Sequence, residues 1–560
     1  MFEEKVFAVL KKAGISADGL EVPDPRFGDF ALPCFQYAKE LKKAPQIIAQ
    51  EFAKKLKPNL WVSQIIPQGA YVNFVLNKKK TQEYVLALVL KQKEKYGTNK
   101  SGKGKSVMIE FSSPNTNKPL HLGHVRNNVL GRTAANLWRA NGFKVIKANL
   151  VNDRGVHICK AMLAYDLWNK GKTPESVHKK PDHFVGDLYV QFCQAAEKKP
   201  ELEEQAQELL RKWEASDKKT LVLWKKLRKW CMDGFRTTYA EMGISFDKYY
   251  YESQIWTGGK KLVEQGLASG AFVKTEDGAV KAVIDPLPEK ILMRNDGTCL
   301  YITQDMYLAL LRFTEFKLDQ MVHVVASEQN LHFQQLKAVL KKLGYGWADK
   351  IYHFSYGMVH LPEGKMKSRT GQVVDADDIM AEMKQLAADE VKKRHPDISE
   401  KDCAARAHAI GLGALTFFML RIDPVKDLLY DPKESISFEG ETGPYVQYAY
   451  ARICSILEKA DTFPKKVDAS LLIHQTEKEL LSHVAGFPVV VQDSCVRYDI
   501  HTLCQYLLKV ATGLNAWYAQ CPVLTAVHEL RDARLHLLRA VGQVLANGLG
   551  LLGIEAPTVM

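Results

Sequence analysis

Residues 107–131 read VMIEFSSPNTNKPLHLGHVRNNVLG, and their pattern changes twice. The opening run, 107–111, is short and apolar with β-branched members, which suits a buried strand. Ser112, Ser113, Pro114, Asn115 and Thr116 follow as turn residues, and Pro114 and Pro119 rule out an early helix. From His121 onward, Leu122, Val125, Val129, Leu130 and Ala134 line one helical face. Strand, loop and helix in that order place the loop at the carboxyl end of a strand, where open parallel sheets bind ligands. The loop's residues suit a phosphate. Gly123 lets a ligand approach the backbone, and His121 and His124 lie in the first helical turn, where unpaired N–H groups and the macrodipole favour anions. Lys118 stands just before them. The stretch carries no lysine-containing P-loop: the nearby Gly104-Lys105-Ser106 has Asn99 where that motif needs glycine, and it precedes a strand. Two plainer readings of the histidines stay open here. They are half of a metal site with no third ligand at a plausible spacing, or ordinary helix-start residues.

The chain of 560 residues is too long for one core, and its composition, 46% hydrophobic and 25% charged, is that of a globular protein. Lys plus Arg number 77 against 64 Asp plus Glu, a net charge of +13, which favours a polyanionic partner, nucleic acid before membrane. A merely solvated basic surface is the alternative. The ten cysteines include no C-x-x-C pair, which argues against a zinc ribbon and a disulfide framework and fits a reducing cytoplasm. The opening MFEEKVFAVLKKAG has no signal-peptide core, and charge-free apolar stretches such as 407–420 fall short of the ~20 residues that span a bilayer. A soluble, cytoplasmic protein is expected.

Three domains are expected: 1–95, 96–425 with a helical insertion at about 160–240, and 426–560. In the first, 30–56 alternates apolar and basic positions at helical spacing and YVNFVL (71–76) reads as a strand. In the second, KVIKANLV (144–151), GTCLYIT (297–303), MVHVVA (321–326) and 352–359 read as further strands. The insertion's charged, Trp-containing helices read as solvated faces before RNA-binding ones. From about 376 the pattern is helical. Near its end Leu530, Ala533, Leu537, Val541, Val544 and Leu545 line one face, Arg531, Arg534 and Arg539 lie largely off it, and Gly548 and Gly550 end the helix.

His121-Leu122-Gly123-His124 resembles the HIGH motif of class I aminoacyl-tRNA synthetases, and Lys365-Met366-Lys367-Ser368-Arg369, about 240 residues downstream, resembles their KMSKS loop. Within that class the chain is most similar to the arginyl-tRNA synthetases, over most of its length: SSPNTNKPLHLGHVRN, YITQD (301–305), ASEQ (326–329), GETGPYVQYAYAR (440–452) and the closing LRDARLHLLRA…LLGIEAP carry the likeness. The resemblance implies an α/β fold: a Rossmann-type parallel-sheet catalytic domain with a helical insertion, a small N-terminal α/β domain that reads the tRNA D-loop, and a C-terminal all-α anticodon-binding domain. It implies ATP-dependent attachment of L-arginine to tRNA(Arg) through an arginyl-adenylate, with Mg²⁺ on the ATP, no protein-bound metal, and a monomeric enzyme.

The amino-acid assignment also has a basis in the residues. A guanidinium is planar and always charged, so a selective site needs carboxylate acceptors. Glu110 and Asp305 are each expected at a strand end, with Tyr301 four residues before Asp305 and Gln329 ending a third strand. The resemblance places Glu110, Asn115, Tyr301, Asp305 and Gln329 on arginine, and Gly123, Gly357, Met358, Val359, Lys365 and Lys367 on ATP. Lys118, His121, His124 and Lys365 are the expected catalytic groups. Ser368 stands where the family loop has its second lysine, and Lys118 fits the arginyl enzymes' substitute for it. On the RNA side the resemblance points to Tyr71, Asn73, Tyr445, Gln447 and Tyr448, although Tyr445 and Tyr448 are spaced like core residues. Two rivals are an adenylate-forming nucleotidylyltransferase that uses no tRNA and a non-catalytic RNA-binding relative.

Overall fold

The computed structural model describes the chain apart from residues 1, 25, 361–373, 461–462 and 464–466. It divides into two compact units.

The smaller unit comprises Met1–Tyr96, Ile456–Ala485 and Gly513–Gln543. Its N-terminal part is an antiparallel sheet of β1 (Phe30–Pro33), β2 (Val62–Gln68) and β3 (Tyr71–Leu76), with β3 central. Val6, Val9 and Leu10 of the Glu3–Lys12 helix and Ile48 and Phe52 of the Pro45–Lys55 helix meet Leu32, Val72 and Phe74 in one core. The helical reading of 30–56 holds only for its second half. Pro33 and Pro45 lack an N–H, so one closes a strand and the other opens a helix. In this unit Arg534, expected off the apolar face of the His528–Leu552 helix, is buried: its Nε donates to Glu477 at 2.7 Å and Nη1 to the Pro522 carbonyl at 2.7 Å.

The larger unit comprises Gly97–Ser455, Gly486–Thr512 and Val544–Met560. Its centre is a parallel sheet of β4 (Ser106–Glu110), β5 (Lys144–Val151), β6 (Lys248–Tyr251), then β10 (Gln320–Ala326) and β11 (Ile351–Tyr356), in the spatial order β11-β10-β4-β5-β6. Residues 107–110 of β4 are all buried, as expected for a parallel strand covered on both faces. The chain leaves β4 toward β5 and β6 and returns on the other side through β10. The order therefore reverses beside β4, and the carboxyl ends of β4 and β10 flank this switch point, where open parallel sheets bind ligands. Met108, Ile146, Ala148, Tyr250, Met321 and Ile351 belong to the core around this sheet. A small antiparallel sheet, β7 (Val273–Lys274), β8 (Val280–Ala282) and β9 (Lys290–Met293), precedes the return.

Residues 297–303 do not form the expected strand. Tyr301–Phe316 is a helix, because Ile302, Met306, Ala309 and Phe313 recur at helical spacing and are buried. The four-residue apolar run 299–302 is too short to reveal that period. The 352–359 run divides into β11 and the short β12 (Val359–His360), which pairs in parallel with β13 (Leu428–Leu429).

The insertion is helical, with helices Val156–Trp168, Pro181–Lys198, Glu201–Glu214 and Lys218–Glu241. After Ala376–Arg394 and Glu400–Leu420 come Gly443–Glu458, Gln475–Val496, Ile500–Gln520 and His528–Leu552. Gly548 does not end the last of these. A Cβ there would stand 2.3 Å from Leu507 Cδ2, so the glycine serves close packing. Glu400–Leu420 and His528–Leu552 are long and apolar enough to cross a membrane, but 72% and 67% of their apolar windows are buried inside the protein. All ten cysteines are free.

Candidate active site

The turn that opens the Leu122–Ala140 helix caps itself. His121 is the N-cap residue, and its Nδ1 accepts the Gly123 N–H at 3.2 Å. His124 Nδ1 in turn accepts the His121 N–H at 3.2 Å. A ring nitrogen that accepts carries no hydrogen, so each imidazole holds its proton on Nε2 and keeps that N–H as a donor. Burial, then the Lys118 charge, pushes His121 down to about 4. Burial, His121 and Lys118 together push His124 well below the usual histidine range. Both rings are thus neutral donors at neutral pH. Burial alone lowers the pKa of the half-buried Lys118 ammonium.

The loop between β4 and this turn is strained and tied down. Ser112 and Ser113 take φ of 77° and 46°, a region L-residues rarely enter. The Ser112 N–H donates to Asn127 Oδ1 at 2.5 Å, and Asn152 Nδ2 donates to the Ser113 carbonyl at 3.1 Å. Asn127 Nδ2 donates onward to the Val324 carbonyl at 2.7 Å and to Tyr356 Oη at 3.0 Å, so one amide on the helix aligns the ends of β4, β10 and β11. Asn115 forms a parallel bridge with Asn152 just past β5.

The carboxylates at the sheet's carboxyl end differ from expectation. Glu110 does not stand free in the crevice. It is buried, paired with Arg312 from the Tyr301–Phe316 helix and, at 2.8 Å, with His323 Nδ1 of β10. Burial works to raise its pKa, but Arg312 and then His323 hold the carboxyl down at about 2. Asp305 sits on a helix and not at a strand end. One turn after Tyr301, it bonds to His332 Nε2 at 2.7 Å with its side chain a third exposed, while Tyr301 is 72% exposed. Gln329 is exposed in the single turn Ser327–Gln329 that follows β10. Sequence reasoning missed Glu252, the first residue after β6. This buried carboxyl is pushed up to about 7 by burial, drawn down by Arg154, and raised further by Asp153 and Asp305. A carboxylate directly after a strand is the same signal that singled out Glu110.

The comparisons with known proteins agree on one family. The catalytic-domain model of class I (R) tRNA synthetases matches residues 85–431, the DALR anticodon binding domain 446–560, and the arginyl tRNA synthetase N-terminal domain 2–76. An arginine–tRNA ligase of Treponema denticola is 45% identical over 553 residues, covering 96% of this chain and 94% of that protein. Its Treponema pallidum counterpart is 41% identical over 545 residues, covering 95% and 92%. The chain belongs to the class I arginyl-tRNA synthetase family. Among solved structures, the Thermus thermophilus arginyl-tRNA synthetase superposes with a TM-score of 0.82 at 29% identity, covering 100% of this chain and 99% of that one.

Arg126 is a further residue the sequence did not single out. It is buried without a carboxylate partner among the described residues, and its guanidinium donates to four backbone carbonyls: Gly357 at 2.7 Å, Met358 at 3.2 Å, Pro424 at 3.1 Å and Lys426 at 2.9 Å. It thereby ties the HLGH helix to residues 357 and 358 and to the segment behind them. Gly357 has to be glycine, since a Cβ would lie 2.5 Å from the Lys426 carbonyl carbon. Met358 donates its N–H to Asp427 Oδ1 at 2.7 Å, and Val359 pairs with Leu428. Lys365 and Lys367, with Ser368, lie outside the described residues.

Two of the residues expected on the synthetase's RNA side are unavailable as surface groups. Asn73 is buried in β3, with Nδ2 on Gln68 Oε1 at 3.3 Å. Gln447 is fully buried. Its Nε2 donates to the Ala409 carbonyl at 3.1 Å and the Glu555 carbonyl at 2.8 Å, because this position of the Gly443–Glu458 helix faces inward. Tyr71 is half-buried against the edge of Phe35, Tyr445 is half-buried, and Tyr448 is 44% exposed.

Proposed function

We infer that the chain is an arginine–tRNA ligase that activates L-arginine with ATP and transfers it to tRNA(Arg). The arginine carboxylate attacks the α-phosphate in line. The bond to the β-phosphate breaks, giving arginyl-adenylate and pyrophosphate. A hydroxyl of the tRNA's terminal ribose then attacks the activated carbonyl, and AMP leaves. No protein nucleophile is required, so the chain's contribution is positioning and charge stabilisation. The observation that carries this reading is the neutral histidine pair with Nε2–H donors beside Lys118, at the point where the sheet order reverses. Those donors meet charge developing on the phosphate oxygens, and Lys118, with Lys365 by resemblance, stabilises the departing pyrophosphate. The backbone at Gly357, Met358 and Val359 lines the adenine.

For arginine, the reading places Asp305 and Glu252 on the guanidinium, with Tyr301, Asn115 and Gln329 around the rest of the substrate. Glu110 supports the site from beneath through Arg312. Mg²⁺ is proposed to arrive with ATP as part of the substrate. Asp182, His183 and Asp377 are the metal-spaced group among the described residues, and its two carboxylates already hold the Lys180 ammonium. The division of labour proposed is D-loop contact by 1–95, catalysis by 96–425 and anticodon contact by 426–560, in a monomeric cytoplasmic enzyme, for which the free cysteines are supporting chemistry. Arginine-dependent ATP–pyrophosphate exchange, measured with and without tRNA, tests the reading. Exchange driven by another amino acid, or no exchange under either condition, would overturn it. Arginine exchange with no charging of tRNA would favour the nucleotidylyltransferase rival.

A further inference from the structure

Charged and polar side chains from three elements converge within the catalytic unit, and the proposed chemistry does not use them. Lys180 stands immediately before the Pro181–Lys198 helix, which also supplies Asp182 and His183. Thr238 comes from Lys218–Glu241, and Asp375 and Asp377 flank the start of Ala376–Arg394. Lys180 Nζ donates to Asp377 Oδ2 at 2.6 Å, to the fully buried Asp182 at 3.3 Å, and to Thr238. His183 Nε2 meets the same Asp377 oxygen at 2.8 Å, and its Nδ1 lies 3.8 Å from Asp375. The Thr238 hydroxyl donates to Asp377 Oδ1 at 2.9 Å. Both oxygens of Asp377 are therefore held by the insertion.

The backbone next to Asp377 is in turn paired with the phosphate-binding turn. The Leu122 N–H donates to the Val374 carbonyl at 3.0 Å, the Ala376 N–H donates to the Leu120 carbonyl at 2.9 Å, and His121 and Asp375 form an antiparallel bridge between them. A displacement of residues 374–377 would carry the His121 backbone with it. We propose that Lys180, His183 and Asp377 are positioning residues for amino-acid activation: by anchoring 374–377 to the helical insertion they set where the His121 turn meets the phosphates of ATP. The proposal rests on the adenylation reading above, and it gives the insertion a role in that step.

The cluster also titrates. The Asp377 hydrogen bond, with the charges of Asp182, Asp377 and Asp375, raises the His183 pKa against burial. Lys180 faces the same carboxylates. A raised histidine value means the ion pair is complete below the ordinary 6.5 and is lost as pH rises through the higher value. Asp375 is pushed up to about 6, chiefly by burial, so it loses charge on the acid side of the same interval. The anchor is therefore expected to loosen on the alkaline side through His183.

The test is steady-state ATP–pyrophosphate exchange with the full chain. Asp377→Asn and Lys180→Met should raise the ATP KM about five- to tenfold while leaving the arginine KM within about twofold, and Lys180→Arg should restore most of the loss. Wild type should show an ATP KM that climbs above neutral pH, and His183→Gln should flatten that climb. An unchanged ATP KM in variants that melt like wild type would overturn the proposal, as would equal rises in both KM values. If Lys180→Met fails to fold, Thr238→Val removes a single donor and is expected to shift ATP KM in the same direction. Binding of a fluorescent ATP analogue separates the two readings. If wild type exchanges no arginine, the adenylation reading fails, while weaker analogue binding by the variants still reports the anchor.

Discussion

Glu110 and Glu252 both stand where a strand ends, but their surroundings treat the two carboxyls oppositely. Glu110 faces Arg312 and His323 inside the protein, so Glu110→Gln should leave arginine KM near wild type and cost about 3–5 kcal/mol of stability by stranding a buried guanidinium. Thermal melting beside arginine kinetics checks this; a raised arginine KM at unchanged Tm would return Glu110 to the substrate. Because Glu110 is held at about 2 when folded, its contribution to stability is complete above the unfolded carboxylate range and is lost as pH falls toward 2. Glu252 behaves in the opposite way. With its carboxyl pushed up to about 7, a bound guanidinium would have to displace a proton at neutral pH and below. Arginine KM is expected to rise as pH drops below about 7, and Glu252→Gln should weaken binding and flatten that dependence. A pH-independent arginine KM in wild type would refute it. At the nucleotide, His121→Ala removes a donor that meets the ATP phosphates on binding and again as charge develops, so it should raise ATP KM and lower kcat about 10²-fold, measured by exchange across ATP concentrations.

At the scale of elements, the Leu122–Ala140 helix does more than offer its N-terminus. Through Asn127 it aligns three strands, and through Arg126 it holds residues 357 and 358 against 424 and 426. Lysine cannot reproduce a fork that reaches four carbonyls. Arg126→Lys is expected to destabilise the catalytic unit by about 1–3 kcal/mol and to raise ATP KM more than arginine KM. Equal changes in the two constants would place Arg126 outside the nucleotide side. The helix was legible from its 3.6 period and the turn residues before it. The Tyr301–Phe316 helix was not, because the reading stopped at a short apolar run and the period emerges only when Met306, Ala309 and Phe313 are included.

For the whole molecule, a net charge of +13 suits a polyanion more than a fold. Affinity for tRNA(Arg) is expected to fall by about 10³-fold or more between roughly 50 mM and roughly 200 mM salt if six or more phosphates are met, read by filter binding. A nearly flat salt response would mean that the basic surface is merely solvated. The buried Gln447 and Asn73 also narrow where base contacts can come from, and leave the exposed Tyr448 as the better candidate. Gln447 is a polar residue on a helix of the expected anticodon-binding part, but it turns inward. Its inward orientation follows from Ala409 and Glu555, which lie 38 and 108 residues away in the chain.

Local periodicity, turn residues and motif order in the amino-acid sequence determined the strand–loop–helix at 107–131, the parallel-sheet class, the helical insertion, the helical C-terminal part and the family. Apart from the family, which rests on motifs spread over most of the chain, each of these rests on residues a few positions apart, where backbone geometry sets the pattern. The tertiary structure decided that Glu110 is spent on the fold, through Arg312 and His323, and that Asp305 belongs to a helix. It also determined how Arg126 and Lys180 are used. Those outcomes depend on pairing buried charges across separations such as the 202 residues between Glu110 and Arg312. Desolvation forces every buried charge to find a partner, but nothing local specifies which partner it finds.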